Sequence, residues 1–159
     1  MEANGLESEQ LLVVKRVTDA SILPELEPHF VFQDEEERGV YSVQLMQFMQ
    51  LGLTRVCVVV AFEGTEVIGF VIAENTLAPH AWLSQIWCSP QHGLDVANQM
   101  REVLLLWASA LGKTHLRAVT NRDMDALHRR FGFYEISKNV EYKIDSNLFQ
   151  ETLRLARSK

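Results

Sequence analysis

The chain has 159 residues, which is enough for one domain with a sizeable hydrophobic core. Hydrophobic residues make up 47% of it and charged residues 23%, as in ordinary soluble globular proteins. The net charge of −6 excludes the basic surface of a nucleic-acid-binding protein, and no apolar run approaches the ~20 residues of a membrane-spanning helix.

The N-terminal part of the chain predicts a leader, a strand and a short helix. Residues 1–10 are polar and acidic, unlike a secretory signal, and are predicted to be a flexible leader. Residues 11–17 have a β-strand pattern, and Asp19 follows as a candidate N-cap. Pro24 and Pro28 interrupt the next segment, so the helix there should be short or irregular.

An acidic run at residues 34–37 precedes a second helix. Apolar residues at helical spacing predict this helix over residues 41–51, and Gly52 closes it. We interpret the acidic run as a solvated loop, and the alternative is that it attracts a cationic amine.

A hairpin follows the second helix. Residues 56–62 and 66–74 have strand patterns, and the short polar link between them contains Gly64. Because hairpin strands are antiparallel, the first half of the sheet should be antiparallel.

The centre of the chain is a strand, a polar turn and a long helix in succession. Residues 81–88 are apolar for the most part and suit a buried strand, which Pro90 cannot continue. From Leu94 the apolar residues recur at three- and four-residue steps, so a helix should run from there to a left-handed cap at Gly112. Unpaired N–H groups point outward at such a helix N-terminus, so the unit can bind an anion.

Four strand side chains have predicted positions. Trp82 and Trp87 are an odd number of residues apart on one strand, so they should face opposite sides of the sheet. Cys57 and Cys88 both lie in apolar strand patterns, which favours buried free thiols over a disulfide. Two cysteines are too few for a structural zinc site.

The last third of the chain completes an α/β fold. The predicted elements are a strand over 114–120, a short helix over 123–131, a strand or bent pair over 133–144 and a helix over 147–157. We predict a mixed central sheet of about six strands flanked by helices, with one domain over residues 11–145 and a helical extension over 146–159.

Three signatures along residues 11–144 resemble the GNAT superfamily of acyl-CoA N-acyltransferases. The hairpin sequence EGTEVIGFVIAE resembles the family's second and third strands, and Trp87-Cys88-Ser89-Pro90 resembles the end of its fourth. Asn121, with Ala126-Leu127 and Phe131-Gly132-Phe133, resembles the family's asparagine, short helix and Gly-Phe ending. The resemblance implies the GNAT fold and acetyl-CoA as cosubstrate.

In the family, the turn before the long helix holds the CoA pyrophosphate. Its pattern there is Arg or Gln, two residues, Gly, one residue, then Gly or Ala, because backbone amides must approach the phosphates closely. Starting the pattern at His92 leaves Ala97 in register but places Asp95 at the first glycine. The cofactor-binding residues that the resemblance implies are Trp87, Cys88, His92, Gly93, Leu94, Asp95, Val96, Ala97 and Asn121.

Asp95 is open to two interpretations. As an N-cap or first-turn acid it would stabilise its own helix, occupy the amides that a pyrophosphate needs and repel the phosphates. Otherwise the turn still binds CoA, with His92 as a donor and Gly93 allowing close approach.

The resemblance implies two catalytic positions. Counting back from Phe133 places His128 where many members have the tyrosine that protonates the leaving thiolate, and the alternative is a solvated histidine beside two arginines. The predicted fourth strand has no carboxylate, so Glu74 is the nearest candidate base, and the alternative is a strand-end acid facing water.

Two functions remain open. The first is an acetyl-CoA-dependent N-acetyltransferase with a degenerate CoA-binding loop, acting in the cytoplasm on a small-molecule or protein amine. The second is a catalytically inactive scaffold with a protein partner or a homo-oligomeric state. Divergent GNAT-like proteins of bacteriophages make a virion component one example of the second.

Overall fold

The structure is a computed structural model that describes residues 11–32, 34–52 and 54–118, together with Arg154, Leu155 and Arg157. The elements are β1 (Leu12–Arg16), a 3-10 turn (Ala20–Ile22), α1 (Leu23–Leu26), a second 3-10 turn (Glu27–His29), α2 (Glu35–Leu51), β2 (Val56–Glu63), β3 (Glu66–Glu74), β4 (His80–Cys88), α3 (Leu94–Ala110) and β5 (His115–Ala118). The three separate C-terminal residues are helical, within the predicted last helix. The leader, the elements predicted over 123–144, Asn121 and His128 lie outside the described residues.

The five described strands form one mixed sheet, in the order in which they occur in the chain. Neighbours from β1 to β4 run antiparallel, whereas β4 and β5 run parallel. A parallel connection needs a crossover, which α3 supplies. Gly64, at a φ of +63°, and Thr65 form the two-residue turn of the predicted hairpin. The predicted fold, a mixed sheet flanked by helices, is confirmed.

Helices cover both faces of the sheet. We call the side on which α3 packs the α3 face and the side on which α1 and α2 pack the α2 face. Alternate residues of β2 and β3 point to each side, so the centre of the sheet is buried on both. Buried residues of the α3 face are Cys57, Val59, Ala61, Ile68, Val71, Ala73, Ala81, Leu83, Val96, Met100, Leu104, Trp107 and Ala108. Those of the α2 face are Leu23, Leu26, Phe30, Leu45, Val56, Val58, Val60, Phe70 and Ile72.

A β-bulge at Ser84 changes which way the second half of β4 faces. The pairing register between β3 and β4 shifts by one residue there, so Ser84 is extra in β4. Trp82 lies between Ala81 and Leu83, which both point to the α3 face, so Trp82 points to the α2 face. Trp87 also packs on the α2 face. The prediction that the two tryptophans face opposite sides is therefore wrong, because the bulge inserts one residue into the alternation.

The acidic run forms the start of α2. The Asp34 carboxylate accepts a hydrogen bond from the backbone N–H of Glu37 at 2.8 Å, which makes Asp34 the N-cap. Glu35, Glu36 and Glu37 are exposed in the first turn, where the helix dipole favours negative charge. The loop interpretation is wrong, because these residues are the type that starts a helix.

Other local predictions are confirmed, except that Cys88, the last residue of β4, is half-buried rather than buried. The Asp19 carboxylate accepts a hydrogen bond from the N–H of Ser21 at 3.0 Å and caps an irregular helical segment. Gly112 follows α3 at a φ of +77°, the left-handed conformation expected of a C-terminal cap. Cys57 is buried, Cys88 is half-buried, and both are free thiols. Within the described part of the chain, no helix has the length and apolar character to cross a membrane.

Candidate functional site

A tight turn joins the end of β4 to the N-terminus of α3. The N–H of Ser89 donates to the Ile68 carbonyl at 2.8 Å, which keeps the start of the turn against β3. The N–H of His92 donates to the Ser89 carbonyl at 3.0 Å and closes the turn. Gly93 then takes the N-cap position of α3 in an extended conformation. The carboxyl end of β4 thus leads directly into a helix N-terminus.

Among the described residues, no side chain caps the N-terminus of α3. Gly93 has no side chain to offer, and Asp95 lies in the first turn without making a capping hydrogen bond. The predicted first-turn position of Asp95 is confirmed, but the prediction that it occupies the amides is wrong, because the cap is two residues earlier. Leu94 and Asp95 are exposed. The first N–H groups of the helix are therefore available to an anion, although Asp95 adds a negative charge beside them.

The side chain of His92 holds the turn against β2. Its Nε2 lies 3.0 Å from Oε2 of Glu63, the last residue of β2. The carboxylate accepts, so Nε2 carries the hydrogen. Nδ1 of His92 is buried and has no hydrogen-bond partner among the described residues. A hydrogen on Nδ1 would leave a buried donor unpaired, which disfavours that tautomer.

The other predicted cofactor-binding side chains point in different directions. Trp87 packs on the α2 face, and Cys88 packs towards the α3 face with its Sγ 3.8 Å from the His92 carbonyl oxygen. Val96 and Ala97 are each only 4% exposed, so they can offer a ligand little besides backbone N–H groups. The described residues bring together the turn and the helix N-terminus, with His92 to Ala97, rather than a set of polar side chains.

On the α2 face, a hydroxyl pair lies at the bulge of β4. The Oγ of Ser84 donates to the Ile72 carbonyl at 3.2 Å, and the Tyr41 hydroxyl lies 2.6 Å from the same Oγ. Ser84 has one hydrogen to give, so Tyr41 donates to Ser84. Burial raises the pKa of Tyr41, and the nearby negative charge of Glu74 also raises it, so the phenol stays protonated.

Gln85 fastens the segment before α2 to the bulge. Its side-chain oxygen accepts from the Val31 N–H at 3.0 Å, and its Nε2 donates to the Val31 carbonyl at 3.4 Å. Gln85 is only 7% exposed, and these two bonds satisfy its buried amide. Phe30 and Phe32, on either side of Val31, both contact the Tyr41 ring, so the amide pair also positions this aromatic wall.

Glu74 lies at the end of β3 beside this wall. It is half-buried rather than fully exposed to water. Burial raises the pKa of its carboxyl above the ordinary value, and the positive charge of Arg55 opposes that effect. A carboxylate with a raised pKa is a better proton acceptor near neutral pH than an ordinary surface glutamate.

Sequence reasoning did not identify several residues of this site. Tyr41 and Ser84 are separated by 43 residues, Gln85 and Val31 by 54, and Glu63 and His92 by 29. A pattern among neighbouring residues cannot predict contacts between residues so far apart in the chain. The one signal available was Ser84-Gln85, a polar pair inside an otherwise apolar strand, since a polar pair within a strand indicates an interrupted alternation.

Comparison with known proteins identifies the family. The model of the GNAT acetyltransferase family matches residues 21–133, well over half of the chain. The aminoglycoside 6'-N-acetyltransferase AAC(6')-Ih from Acinetobacter baumannii has a similar structure, with a TM-score of 0.66 and 18% identity over 85% of this chain and 99% of that one. A predicted acetyltransferase from Clostridium acetobutylicum, solved with acetyl-CoA, has a TM-score of 0.67 and 10% identity over 84% and 96% of the two chains. An integron cassette protein from V. cholerae has a TM-score of 0.58 and 18% identity over 90% and 98%.

These structural likenesses, all at low sequence identity, show the fold. No curated protein sequence matches the chain. The family match covers β2, β3, β4 and α3, the elements that build the turn and the bulge described above. The chain therefore belongs to the GNAT acetyltransferase family.

Proposed function

We propose that this protein is an acetyl-CoA-dependent N-acetyltransferase that transfers the acetyl group to an amine. The observation that carries the proposal is the uncapped N-terminus of α3 at the carboxyl end of β4, in a chain of this family. A helix N-terminus without a side-chain cap presents unpaired N–H groups and the positive end of the helix dipole. Solved neighbours support acetyl-CoA as the donor, since one contains acetyl-CoA and another contains CoA.

Open space beside Gly93 supports the proposed phosphate site. A Cβ placed on Gly93 would meet no atom within 4 Å, so the space in front of the helix is open. The N–H groups of residues 94–97 would hold the phosphates there. Two carboxylates, Glu63 and Asp95, lie at the same corner and weaken the attraction for a polyanion. We therefore expect binding, with an affinity below that of a cradle lacking these charges.

The acceptor reaction would take place at the bulge, on the α2 face. Acetyl-CoA supplies an activated thioester carbonyl, and the free amine attacks its carbon. The N–C bond forms, the C–S bond breaks, and the CoA thiolate leaves. Glu74 would accept the proton that the amine loses, and we assign protonation of the thiolate to His128, which lies outside the described residues.

Titration calorimetry with acetyl-CoA tests the proposal most directly. We expect saturable binding by the native protein, and about two- to fivefold tighter binding by Asp95→Asn, because the charge at the helix N-terminus is removed without loss of a capping bond. Glu102→Gln is the matched control, since Glu102 is exposed in the middle of α3. If neither protein binds acetyl-CoA, the proposed function fails and the scaffold alternative gains support.

The contact between Glu63 and His92 gives a second prediction. Glu63→Ala removes both the carboxylate charge and the anchor of the turn, whereas Glu63→Gln removes the charge but keeps an acceptor for Nε2. We expect Glu63→Ala to bind acetyl-CoA about three- to tenfold more weakly than Glu63→Gln, because one hydrogen bond that orders the turn is lost.

Measuring KM for acetyl-CoA and for the amine in Glu63→Ala and Glu63→Gln tests this prediction. The change should appear in KM for acetyl-CoA, with kcat and the KM for the amine nearly unchanged. His92→Ala should bind acetyl-CoA more weakly than Glu63→Ala, because it loses the same contact but keeps the Glu63 charge, and adding Glu63→Ala to His92→Ala should not weaken binding further. Equal affinities in Glu63→Ala and Glu63→Gln would show that the contact does not order the turn.

A further inference from the structure

Three side chains form a row across β3, β4 and β5. Glu74 is paired with Trp82 in the antiparallel register of β3 and β4, and Trp82 is paired with Arg117 in the parallel register of β4 and β5. Paired residues on adjacent strands point to the same face of a sheet. Trp82 points to the α2 face, so all three side chains do. The row is a carboxylate, an indole and a guanidinium side by side.

This row lies next to the place where acetyl transfer would occur. On β4, Ser84 is the next residue after Trp82 to point to the α2 face, and it marks the bulge. Leu83 and Ala118 form the last described pair between β4 and β5, one residue beyond the row. Glu74, the residue that we assign as base, is itself one end of the row.

Within the described part of the chain, neither Glu74 nor Arg117 forms a salt bridge, and Arg117 is exposed. Lys113, just before β5, has its Nζ donating to the carbonyls of Thr76 and Ala78 at 2.5 and 2.8 Å.

The positive charge of Arg117 acts on His80, a neighbouring residue of β4. Burial lowers the pKa of His80, and the positive charges of Arg117 and Lys113 lower it further. The centroid of the His80 ring lies 6.1 Å from that of the Trp82 ring. The row thus carries a carboxylate at the β3 end, where the positive charge of Arg55 also acts, and a guanidinium at the β5 end.

We propose that the acceptor is an amino acid or a similar zwitterion, with its amine at Glu74 and its carboxylate on Arg117. This inference rests on the proposed function. An arginine guanidinium binds a carboxylate through two parallel hydrogen bonds, so arginine is the residue best suited to this anion. Trp82 lies between the two charges and offers an apolar surface to the body of the acceptor.

The reaction needs no additional reagent. Glu74 first takes a proton from the ammonium group of the zwitterion, and the neutral amine then forms the N–C bond with the acetyl group as the C–S bond of acetyl-CoA breaks. The nitrogen loses its second proton, and the departing thiolate takes up one proton. The products are an N-acetyl amino acid and CoA. The carboxylate on Arg117 keeps its charge throughout, so it positions the acceptor and takes no part in the chemistry.

Matched acceptors that differ only in the carboxylate test the inference. The pairs are phenylalanine with phenethylamine, leucine with isopentylamine, and lysine with cadaverine, and thiol release from acetyl-CoA reports transfer. We expect at least one amino acid to exceed its amine in kcat/KM by about tenfold or more, because a charged hydrogen bond to Arg117 is made only by the amino acid. Arg117→Gln should remove that preference by lowering kcat/KM for the amino acid and not for the amine.

Arg101→Gln is the control for loss of a positive charge, since Arg101 lies on α3, away from the row. Circular dichroism and thermal melting establish that each variant is folded. If the amines are acetylated as well as the amino acids in every pair, or if Arg117→Gln preserves the preference, the inference is wrong. If acetyl-CoA binds by calorimetry but no amino acid is acetylated, the inference is also wrong and the proposed donor stands. If acetyl-CoA does not bind, the proposed function itself fails.

Discussion

Glu74→Gln should lower kcat by about 10²–10⁴-fold, the usual contribution of a general base. Glutamine keeps the size and polarity of the side chain but cannot accept the amine proton. The carboxylate is half-buried at the end of β3, and burial raises its pKa. The rate of the native enzyme should therefore fall as the pH is lowered through that raised pKa, and this acid limb should be missing from Glu74→Gln.

The same substitution should not destabilise the fold at neutral pH. Burial disfavours the charged carboxylate, so the folded protein binds its proton more tightly than the unfolded chain. Burying the charged carboxylate lowers the free energy of unfolding, and this loss is absent at low pH, where the carboxyl is protonated. It develops as the pH rises from the ordinary glutamate pKa to the raised one, and it persists above that value. Glu74→Gln should match the native protein in acid and be at least as stable at pH 7, as urea unfolding at both pH values would show.

Glu102→Gln serves as the control here too, because it removes an exposed carboxylate far from the row. It should leave kcat and the acid limb unchanged. A Glu74→Gln enzyme that retained kcat within threefold of the native value would exclude Glu74 as the base.

Phe70→Ala should destabilise the protein by about 3–5 kcal/mol, as the loss of a buried phenylalanine usually does. Phe70 is fully buried at the centre of β3 and is the largest such side chain among the described residues. Its ring contacts Phe30 at 5.7 Å and Trp87 at 6.0 Å between centroids. The Phe70→Ala substitution would leave a cavity between the segment before α2 and the end of β4. Movement of these two segments would fill only part of that cavity.

Thermal melting measures the loss of stability in Phe70→Ala. For a domain of this size we expect the Tm to fall by on the order of 10 °C. Phe62→Ala is the matched control: Phe62 is only half-buried on β2, so its truncation should cost clearly less. Equal losses in the two variants would mean that Phe70 is not central to the packing of the α2 face.

The strands and the long helix were predictable because each has a local pattern. β3 and the start of α3 agree with the sequence prediction, since apolar alternation and helical spacing are properties of neighbouring residues. Gly64 and Gly112 adopt positive φ angles at the predicted turn and helix end, where glycine has no Cβ to clash. The family resemblance also followed from local motifs in these elements.

The errors come from features that local patterns do not reveal. The bulge at Ser84 turns Trp87 to the α2 face. The sequence of one strand does not show whether each of its residues pairs with a single residue of the neighbouring strand, so the bulge could not be predicted. The charge of the acidic run alone favours a solvated loop, but Asp34 followed by glutamate three residues later is a helix-start signature.

The candidate site was less predictable than the fold. The contact between Glu63 and His92 and the pairing of Gln85 with Val31 join segments far apart in the chain. The row from Glu74 to Arg117 depends on the register of three strands, so a shift of one residue in either ladder would separate its members.

The strand order also bears on how the domain assembles. β2, β3 and β4 follow one another through residues 64–65 and 75–79, so their pairing closes only short loops and can form early. β1 is separated from β2 by residues 17–55, and β5 can join β4 only after α3 has crossed the sheet. We expect these flanking strands to dock later. The positive end of the row arrives with β5, so an assembly intermediate of the three central strands would hold Glu74 and Trp82 but could not select an acceptor through Arg117.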